Sequence, residues 1–265
     1  MRDLALRYLS AASLVLLAPI LFVQARRVRR VTLRLPPANG PHEGITAAGP
    51  HLLRLLVVGE STAVGVGVST HLVGLAGQTA RALAEATGRP VSWRVLGRSG
   101  ASARALVAEF IKPAAPIDAD VVVIALGVND TISVSSVAAW VGGLEALRQC
   151  VRESSPEAAI VLSGVPPMQR FPAFPAPLRY VLGLRAHVLD RAAITWVRGH
   201  TAVRHVPHPP VARADVPVMF CADHFHPSAL GYALWGAALA TAASDILNAP
   251  ARRSTSPAGA IHPSC

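Results

Sequence analysis

The amino-acid sequence predicts an α/β fold, specifically a three-layer α/β/α sandwich around a mostly parallel sheet. Short apolar runs alternate with longer segments of helical periodicity from residue 52 to residue 247, as in chains that place a helix after each strand. The run DVVVIAL at 120–126 is apolar on both faces, which is typical of a central parallel strand. With 265 residues, of which 52% are hydrophobic and 15% charged, the chain has enough apolar material for one large core.

Five short runs are predicted to be strands because they are apolar, rich in β-branched residues and bounded by glycine or proline. They are residues 52–58, 91–96, 120–126, 159–163 and 203–206. Five longer segments have the apolar spacing of helices. They are residues 68–87, 102–111, 135–153, 178–199 and 228–247. Gly88 and Pro90 end the first of these helices, and Pro227 stands just before the last.

The N-terminal segment, residues 1–34, is predicted to be a hydrophobic anchor with a basic flank. Residues 8–23 (YLSAASLVLLAPILFV) are uncharged, and the run approaches the roughly 20 apolar residues that span a bilayer if it starts at Leu4 and Arg7 extends toward the headgroups. A retained anchor, spanning or interfacial, explains both the run and the RRVRR that follows it. A cleaved signal peptide, cut after Val23-Gln24-Ala25, and a buried helix of the main fold are the alternatives.

Most of the net charge of +10 lies at this end, because residues 1–34 carry seven arginines against one aspartate. A basic cluster beside an apolar run matches anionic lipid headgroups, and basic and aromatic residues do not interleave as they do on nucleic-acid-binding surfaces. We therefore expect a membrane partner and no nucleic acid. By the positive-inside rule the downstream domain is expected in the cytoplasm; a periplasmic or secreted location after signal cleavage is the alternative.

Segments rich in proline, glycine and small residues flank the expected folded domain, residues 51–248. Residues 35–50 (LPPANGPHEGITAAGP) are expected to be a linker, and residues 249–265 a flexible tail. Cys150, Cys221 and Cys265 are too scattered for a disulfide scaffold or a CxxC zinc site.

Polar residues follow the first three predicted strands and precede the last helix. The segments are Gly-Glu-Ser-Thr at 59–62, Gly-Arg-Ser-Gly at 97–100, Gly-Val-Asn-Asp at 127–130 and Asp-His-Phe-His-Pro at 223–227. Ligands of parallel sheets bind beyond the carboxyl ends of the strands, so we expect these segments to converge at one edge of the sheet.

In this order, the four segments resemble the motif blocks of the SGNH (GDSL-type) hydrolase superfamily of esterases and lipases, over roughly residues 52–247. The family's Gly-Asp-Ser block is Gly59-Glu60-Ser61 here, with glutamate in place of aspartate. The second-block glycine matches Gly100, with Gly97 as the alternative, and the third and fourth blocks are matched in full. The resemblance implies a flavodoxin-like parallel sheet.

The resemblance also implies a serine-hydrolase mechanism. Ser61 is expected to be the nucleophile, His226 the general base, and Asp223 the residue that orients His226, because a serine hydroxyl needs an imidazole to take its proton and a carboxylate to hold that imidazole. The N–H groups of Ser61 and Gly100 and the side-chain amide of Asn129 are expected to form an oxyanion hole. Taken singly, Ser61 is better explained as a helix cap and Asn129 as a turn residue; the four segments together favour the catalytic interpretation.

No metal and no organic cofactor are expected, because the histidines near residues 205–226 fit no zinc-binding spacing. In the proline-rich segment 165–177, Met168, Phe171 and Phe174 are predicted to line an acyl pocket; a rigid connection is the alternative. We predict a membrane-associated serine esterase or lipase that hydrolyses carboxylic esters through an acyl-enzyme, with lipidic acyl esters as the expected substrates. An O-deacetylase or acyltransferase on envelope glycans, or a non-catalytic member that binds acyl ligands, is the alternative. The sequence specifies no oligomeric state.

Overall fold

The computed structural model describes residues 2–110, 118–210 and 215–249 of the chain. The strands within these residues are β1 (Glu43–Ile45), β2 (Leu53–Gly59), β3 (Val91–Gly97), β4 (Val121–Ala125), β5 (Ala159–Ser163) and β6 (Val203–Val206). They form one sheet in the spatial order β1-β3-β2-β4-β5-β6. Strands β2 to β6 run parallel, and the short edge strand β1 pairs antiparallel with β3. The parallel strands have the order of a flavodoxin-like sheet, which confirms the predicted fold class.

The helices of the described residues cover both faces of this sheet. They are α1 (Arg2–Leu16), α2 (Ala18–Val31), α3 (Leu75–Thr87), α4 (Ala103–Phe110), α5 (Val128–Ile132), α6 (Val137–Ser154), α7 (Leu178–Val197), α8 (Val216–Met219) and α9 (Ala229–Leu247). Two 3₁₀ turns cover His71–Val73 and Met168–Arg170.

Alternate residues of the strands face two separate cores. In β4, Val121 and Val123 pack toward α3 and α9, whereas Val122 and Ile124 pack toward α4, α6 and α7. All four side chains are fully buried, as expected for a central strand covered on both faces. The strand order reverses between β2 and β4, and this reversal creates a crevice at their carboxyl ends.

The five predicted strands are all present, and each end lies within one residue of its predicted position. The first predicted helix is shorter than expected, because residues 68–74 form turns and α3 begins only at Leu75, with Gly74 as its N-cap. The short helix α5 was not predicted; it occupies the Gly-Val-Asn-Asp segment. Residue 111, the predicted end of α4, lies outside the described residues.

The segment 35–50, which we expected to be a linker, lies between the N-terminal helices and β2 and is packed on the domain. The Ala38 N–H donates to the carbonyl of Val64 (3.0 Å), and β1 pairs with β3. Pairing at this position covers the otherwise open edge of the sheet, which explains why a short Pro- and Gly-rich segment becomes ordered. Residues 250–265 of the expected tail lie outside the described residues.

The N-terminal hydrophobic segment forms two helices instead of the single predicted one. Helices α1 and α2 meet at Leu17 with a bend of 79°. Pro19 has no N–H with which to continue the hydrogen bonds of α1. The pair packs on α7, where Leu21 enters the main core and Gln24 makes two hydrogen bonds to the backbone at the start of the helix.

Helix α9 is the one unbroken helix of the described residues that is long and apolar enough to cross a membrane. Helices α1 and α2 reach this length and apolar composition only when they are counted together as a bent pair. Tyr232, Trp235 and Leu239 of α9 are buried against the sheet and α3, so α9 serves as a core helix.

Two neighbouring glycines of α6 predict opposite effects of the same substitution. A Cβ on Gly143 would lie 2.8 Å from Ala103 Cβ and 3.1 Å from the Arg104 nitrogen, whereas a Cβ on the exposed Gly142 would meet nothing within 4 Å. Gly142→Ala should stabilise the protein by about 0.5–1 kcal/mol through helix propensity. Gly143→Ala should destabilise it by about 1–3 kcal/mol, because α4 must move away from α6. Urea unfolding of both variants measures this; equal effects would contradict the close packing of α4 on α6.

Candidate active site

The turn after β2 presents Ser61 at the carboxyl edge of the sheet. The Glu60 N–H donates to the carbonyl of Ala125 (3.3 Å), and the Val66 N–H donates to the carbonyl of Ser61 (3.0 Å), so the chain folds back at once. The hydroxyl of the fully buried Tyr232 donates to the carbonyl of Val66 (2.7 Å) and ties this turn to α9. Ser61 is 8% exposed and faces a pocket.

The segment before α9 forms a second closed turn. The Cys221 N–H donates to the carbonyl of His226 (2.8 Å), which brings the ends of the turn together. The Cys221 thiol lies 3.0 Å from the carbonyl oxygens of both Gly67 and Pro227, and thereby joins this turn to the loop that follows Ser61. His224 adopts a positive φ of 58° at the tip.

Ser61, His226 and Asp223 lie in hydrogen-bonding contact. His226 Nε2 is 3.0 Å from Ser61 Oγ, although the two residues are 165 positions apart in the chain. His226 Nδ1 is 2.6 Å from Asp223 Oδ2. The other carboxylate oxygen, Oδ1, accepts the backbone N–H groups of Phe225 and His226, both at 3.0 Å. One carboxylate therefore both shapes the turn and holds the imidazole toward the serine.

Asp223 is suited to remain ionised beside this imidazole. Its side chain is almost fully buried, and burial by itself would raise the pKa of the carboxyl. The hydrogen bonds from the His226 ring and from the two backbone N–H groups outweigh burial, and the pKa of Asp223 is lowered.

Glu60 occupies the position of the aspartate in the Gly-Asp-Ser block, and it bridges the ends of β2 and β4. Its Oε1 accepts the Val128 N–H (2.9 Å), and its Oε2 accepts both the N–H (2.9 Å) and the side-chain Nδ2 (2.5 Å) of Asn129. The neighbouring Asp130 accepts the N–H of Ala103 (2.9 Å) and so fixes the third turn to α4. The two carboxylates hold the third turn from both sides.

The ionisation of Glu60 differs from that of Asp223. Its carboxyl is 2% exposed, and burial raises its pKa to about 7. The hydrogen bonds from Val128 and Asn129 oppose this increase, whereas the negative charge of Asp130 adds to it. Near neutral pH, Glu60 is therefore poised between its two protonation states.

Two of the three predicted oxyanion donors have N–H groups that can donate to a ligand. Among the described residues, neither the Ser61 N–H nor the Gly100 N–H has a hydrogen-bond acceptor. Gly100 has a positive φ of 81° and open space where a Cβ would stand, which suits close approach of a substrate. The side-chain amide of Asn129 is engaged, with its Nδ2 bonded to Glu60 and to the carbonyl of Ala101 (3.2 Å). The alternative glycine, Gly97, is the last residue of β3.

An apolar pocket of about 50 Å³ opens beside Ser61 and His226. Aromatic and other large side chains dominate its lining: Phe171, Phe220, Phe225, Met219, Trp235 and His208. The pKa of His208 is lowered to about 4 by burial, so its imidazole is neutral at physiological pH.

Of the three residues predicted to line an acyl pocket, only Phe171 does so within the described part of the chain. The prediction was wrong for Met168 and Phe174 because the 3₁₀ turn at Met168–Arg170 rotates Met168 fully into the core. Phe174 lies behind the lining, stacked on Phe171 with ring centroids 6.0 Å apart. Phe225, which packs edge-on against both phenylalanines, was missed although it lies inside the Asp-His-Phe-His-Pro segment.

Within residues 2–110, 118–210 and 215–249, no group of three or more histidine, cysteine or acidic side chains is arranged to hold a metal ion. His205, part of the sequence cluster considered above, instead contacts Asp190 at 2.8 Å, and Asp190 also accepts the N–H of Val165.

The fold and these contacts define an α/β protein that carries a Ser-His-Asp arrangement at the switch point of a flavodoxin-like sheet. Residues 57–234 match the model of the GDSL-like Lipase/Acylhydrolase family, and the chain belongs to this family. Its members are esterases and lipases, which hydrolyse ester bonds.

Individual proteins resemble this chain to different degrees. The GDSL-like esterase Rv1075c of Mycobacterium tuberculosis is 30% identical over 220 residues, which cover 79% of this chain and 67% of that protein. The lipase Lip_vut3 from a goat rumen metagenome superposes with a TM-score of 0.57 at 18% identity, over 72% of this chain and 97% of its own. TesA superposes with a TM-score of 0.54 at 21% identity, over 73% and 99% of the two chains. At these identities the two structures support the fold alone.

Asp223→Asn should lower kcat by about 10³- to 10⁴-fold. The two carboxylate oxygens of Asp223 accept hydrogen bonds from two backbone N–H groups and from the His226 ring, whereas an amide has only one acceptor oxygen. If the oxygen keeps the backbone N–H groups, the NH₂ faces His226 Nδ1 and forces the proton onto Nε2, where a base is required. Steady-state kinetics on a soluble ester measure the loss. Asp245→Asn, on the exposed side of α9, is the matched control; comparable kinetics for the two variants would contradict this role of Asp223.

The raised pKa of Glu60 predicts that the free energy of unfolding depends on pH. Since its folded-state pKa is raised from the usual 4.5 to about 7, its stabilising effect is present below pH 4.5 and is lost as the pH rises through 7. Relative to Glu60→Gln, the wild-type free energy of unfolding should fall by about 3 kcal/mol between pH 4.5 and pH 7.5. Urea unfolding of both proteins across this range measures the difference; a pH-independent difference would contradict the shifted pKa.

Proposed function

We propose that the protein is a membrane-associated serine esterase that hydrolyses carboxylic esters through an acyl-enzyme on Ser61. The observation that carries this proposal is the contact of Ser61 Oγ with His226 Nε2, and of His226 Nδ1 with Asp223. A hydroxyl becomes an effective nucleophile when an oriented imidazole accepts its proton; the first distance suits this transfer, and the second suits the orientation of the imidazole by Asp223.

In the first half-reaction, Ser61 Oγ attacks the carbonyl carbon of the ester while its proton moves to His226 Nε2. The resulting oxyanion accepts hydrogen bonds from the N–H groups of Ser61 and Gly100. For the Asn129 amide to donate as well, its Nδ2 must turn from Glu60 or from the carbonyl of Ala101. Collapse of the tetrahedral intermediate breaks the bond to the alcohol oxygen, which takes the proton from His226 as it leaves.

In the second half-reaction, water attacks the acyl group bound to Ser61. His226 accepts one proton of the water and returns it to Ser61 Oγ, so that the carboxylic acid leaves and the enzyme is regenerated. Asp223 stays ionised throughout and stabilises the imidazolium of His226, as its lowered pKa supports.

For the substrate, we favour lipidic acyl esters. The pocket beside Ser61 is lined mainly by phenylalanine and other apolar side chains, which match an acyl chain better than a sugar. The uncharged run of residues 8–23 favours a location at a membrane, where such esters are found. The contacts of Leu21 and Gln24 with the main domain favour a retained segment over a cleaved signal peptide. We place the catalytic domain in the cytoplasm.

A second candidate is removal of short acyl groups, as in O-deacetylation. The observation that favours it is the pocket volume of about 50 Å³, which is small beside a long acyl chain. In that case the phenylalanines limit the acyl group to a few carbons, and the alcohol portion of the substrate lies outside the pocket.

Purified full-length protein should hydrolyse p-nitrophenyl esters, and Ser61→Ala should lower kcat by about 10⁴-fold or more, with loss of labelling by a fluorophosphonate probe. Ser154→Ala, exposed at the end of α6, is the matched control and should keep both properties. Folded wild-type protein that neither reacts with the probe nor hydrolyses any ester would contradict the proposal and leave a binding protein.

The same assay with acetate, butyrate, octanoate and dodecanoate esters separates the two substrate classes. A kcat/KM that rises to octanoate or beyond supports lipidic esters, and one that falls after butyrate supports short acyl groups.

A further inference from the structure

The α1–α2 pair is apolar on both of its faces. A helix on a water-soluble domain buries its apolar face and exposes its polar one. Here the face that packs on the domain includes Leu14, Leu17, Leu21 and Val28, beside the polar residues Ser10, Ser13 and Gln24. The opposite face exposes large apolar side chains, each 51–79% accessible: Tyr8, Leu9, Val15, Leu16, Ile20, Phe22 and Val23. Apolar patches of this kind mark surfaces that contact another apolar phase.

The bend at Leu17 makes this surface unsuitable for crossing a bilayer. The helices diverge by 79°, so the uncharged run is divided into residues 8–16 and residues 18–23. At 1.5 Å per residue these parts are about 14 Å and about 9 Å long, against a hydrocarbon thickness of about 30 Å. Neither part alone spans the membrane.

Contacts with the main domain hold the pair in this bent form. Gln24 Nε2 donates to the carbonyl of Ala176 (2.7 Å), and the Leu178 N–H donates to Gln24 Oε1 (3.1 Å). Leu21 is 7% exposed within the core beside α7, and Asp3 pairs with Arg191 at 3.4 Å. Straightening into one helix would break these contacts.

The charges around the apolar face identify its partner. Arg26, Arg27, Arg29 and Arg30 follow the run directly, and no acidic residue occurs between Asp3 and Glu43. The guanidinium of Arg26 lies 5.6 Å from the centroid of the Phe22 ring, so the basic and apolar groups adjoin. An anionic lipid surface supplies both hydrocarbon and phosphate to such a surface, whereas a second copy of the chain would bring like charges together.

We propose that the bent α1–α2 pair is an interfacial membrane-binding surface, which lies in the headgroup region of an anionic leaflet and does not cross the bilayer. This inference rests on the membrane association proposed above and specifies its form and its lipid. The Gln24 contacts join the surface to the 165–177 segment, whose Phe171 lines the pocket. The lipid-binding helices and the pocket wall thus belong to one packed unit.

Full-length protein, diluted from mild detergent into preformed vesicles, tests this directly. Flotation should show binding to phosphatidylcholine vesicles that contain about one third phosphatidylglycerol, and binding at least about tenfold weaker to pure phosphatidylcholine. Changing Arg26, Arg27, Arg29 and Arg30 to Gln should abolish this preference, since each arginine contributes roughly fivefold. Equal binding to both vesicle types would overturn the assignment of an anionic lipid.

Matched variants test the apolar face. Leu16→Ser with Phe22→Ser should weaken vesicle binding by at least about tenfold. The control, Leu72→Ser with Leu234→Ser, changes two exposed apolar residues elsewhere and should bind like the wild type. Both double variants should keep wild-type hydrolysis of p-nitrophenyl butyrate. The membrane assignment would be overturned if Leu16→Ser with Phe22→Ser left vesicle binding unchanged. It would also be overturned if the wild type formed dimers in solution and these two changes made them dissociate.

Topology separates an interfacial pair from a span. On membranes of expressing cells, tags at the N-terminus and the C-terminus should be digested by protease from the same side, and alkaline carbonate should release the chain. Tags on opposite sides, resistance to carbonate, or an intact mass that lacks the first 25 residues would overturn the inference. Esterase activity is measured separately. A protein that binds vesicles normally but hydrolyses no ester would contradict the proposed esterase function and would still support the membrane-binding surface.

Discussion

The register of β2 with its two neighbours is the constraint on which the site depends. Gly59, the last residue of β2, lies opposite Gly97 of β3 and Ala125 of β4. A Cβ on Gly59 would stand 2.4 Å from the carbonyl oxygen of Ala125, and one on Gly97 would stand 2.7 Å from the carbonyl oxygen of Gly59. The three backbones approach so closely only because two of these strand ends are glycine. The turns that follow therefore begin at the same level and meet over one crevice.

Two buried carboxylates at this edge of the sheet have pKa values that are shifted in opposite directions. Asp223 receives an imidazole and two backbone N–H groups, and its pKa is lowered. Glu60 also receives three N–H donors, but burial together with the negative charge of Asp130 raises its pKa to about 7. Asp223 therefore favours a negative charge beside the imidazole of His226, whereas Glu60 bridges β2 and β4 and holds the third turn. Paired acidic groups with diverging pKa values are common where acid-base chemistry is organised.

The sequence predicts the parts of this molecule that follow from local pattern and strand order. Apolar runs bounded by glycine and proline locate the strands, and parallel order then brings Ser61 and His226 to the same edge. It does not predict what depends on packing between distant segments. Pro19 indicates where the N-terminal helix can break, but the 79° bend and the contacts with α7 depend on packing against the main domain. Likewise, the 165–177 segment carries no signal that its 3₁₀ turn buries Met168 and leaves Phe171 at the pocket.

The thiol of Cys221 has a consequence for how inhibition of this protein is interpreted. It is wedged between the carbonyls of Gly67 and Pro227, and burial raises its pKa, so the thiolate that reacts with alkylating reagents is scarce. A maleimide or mercurial that does reach this sulfur would force apart the two segments that carry the serine and the histidine. Inactivation by such a reagent would thus report damage to the scaffold, and it would be a mistake to count this cysteine as the nucleophile.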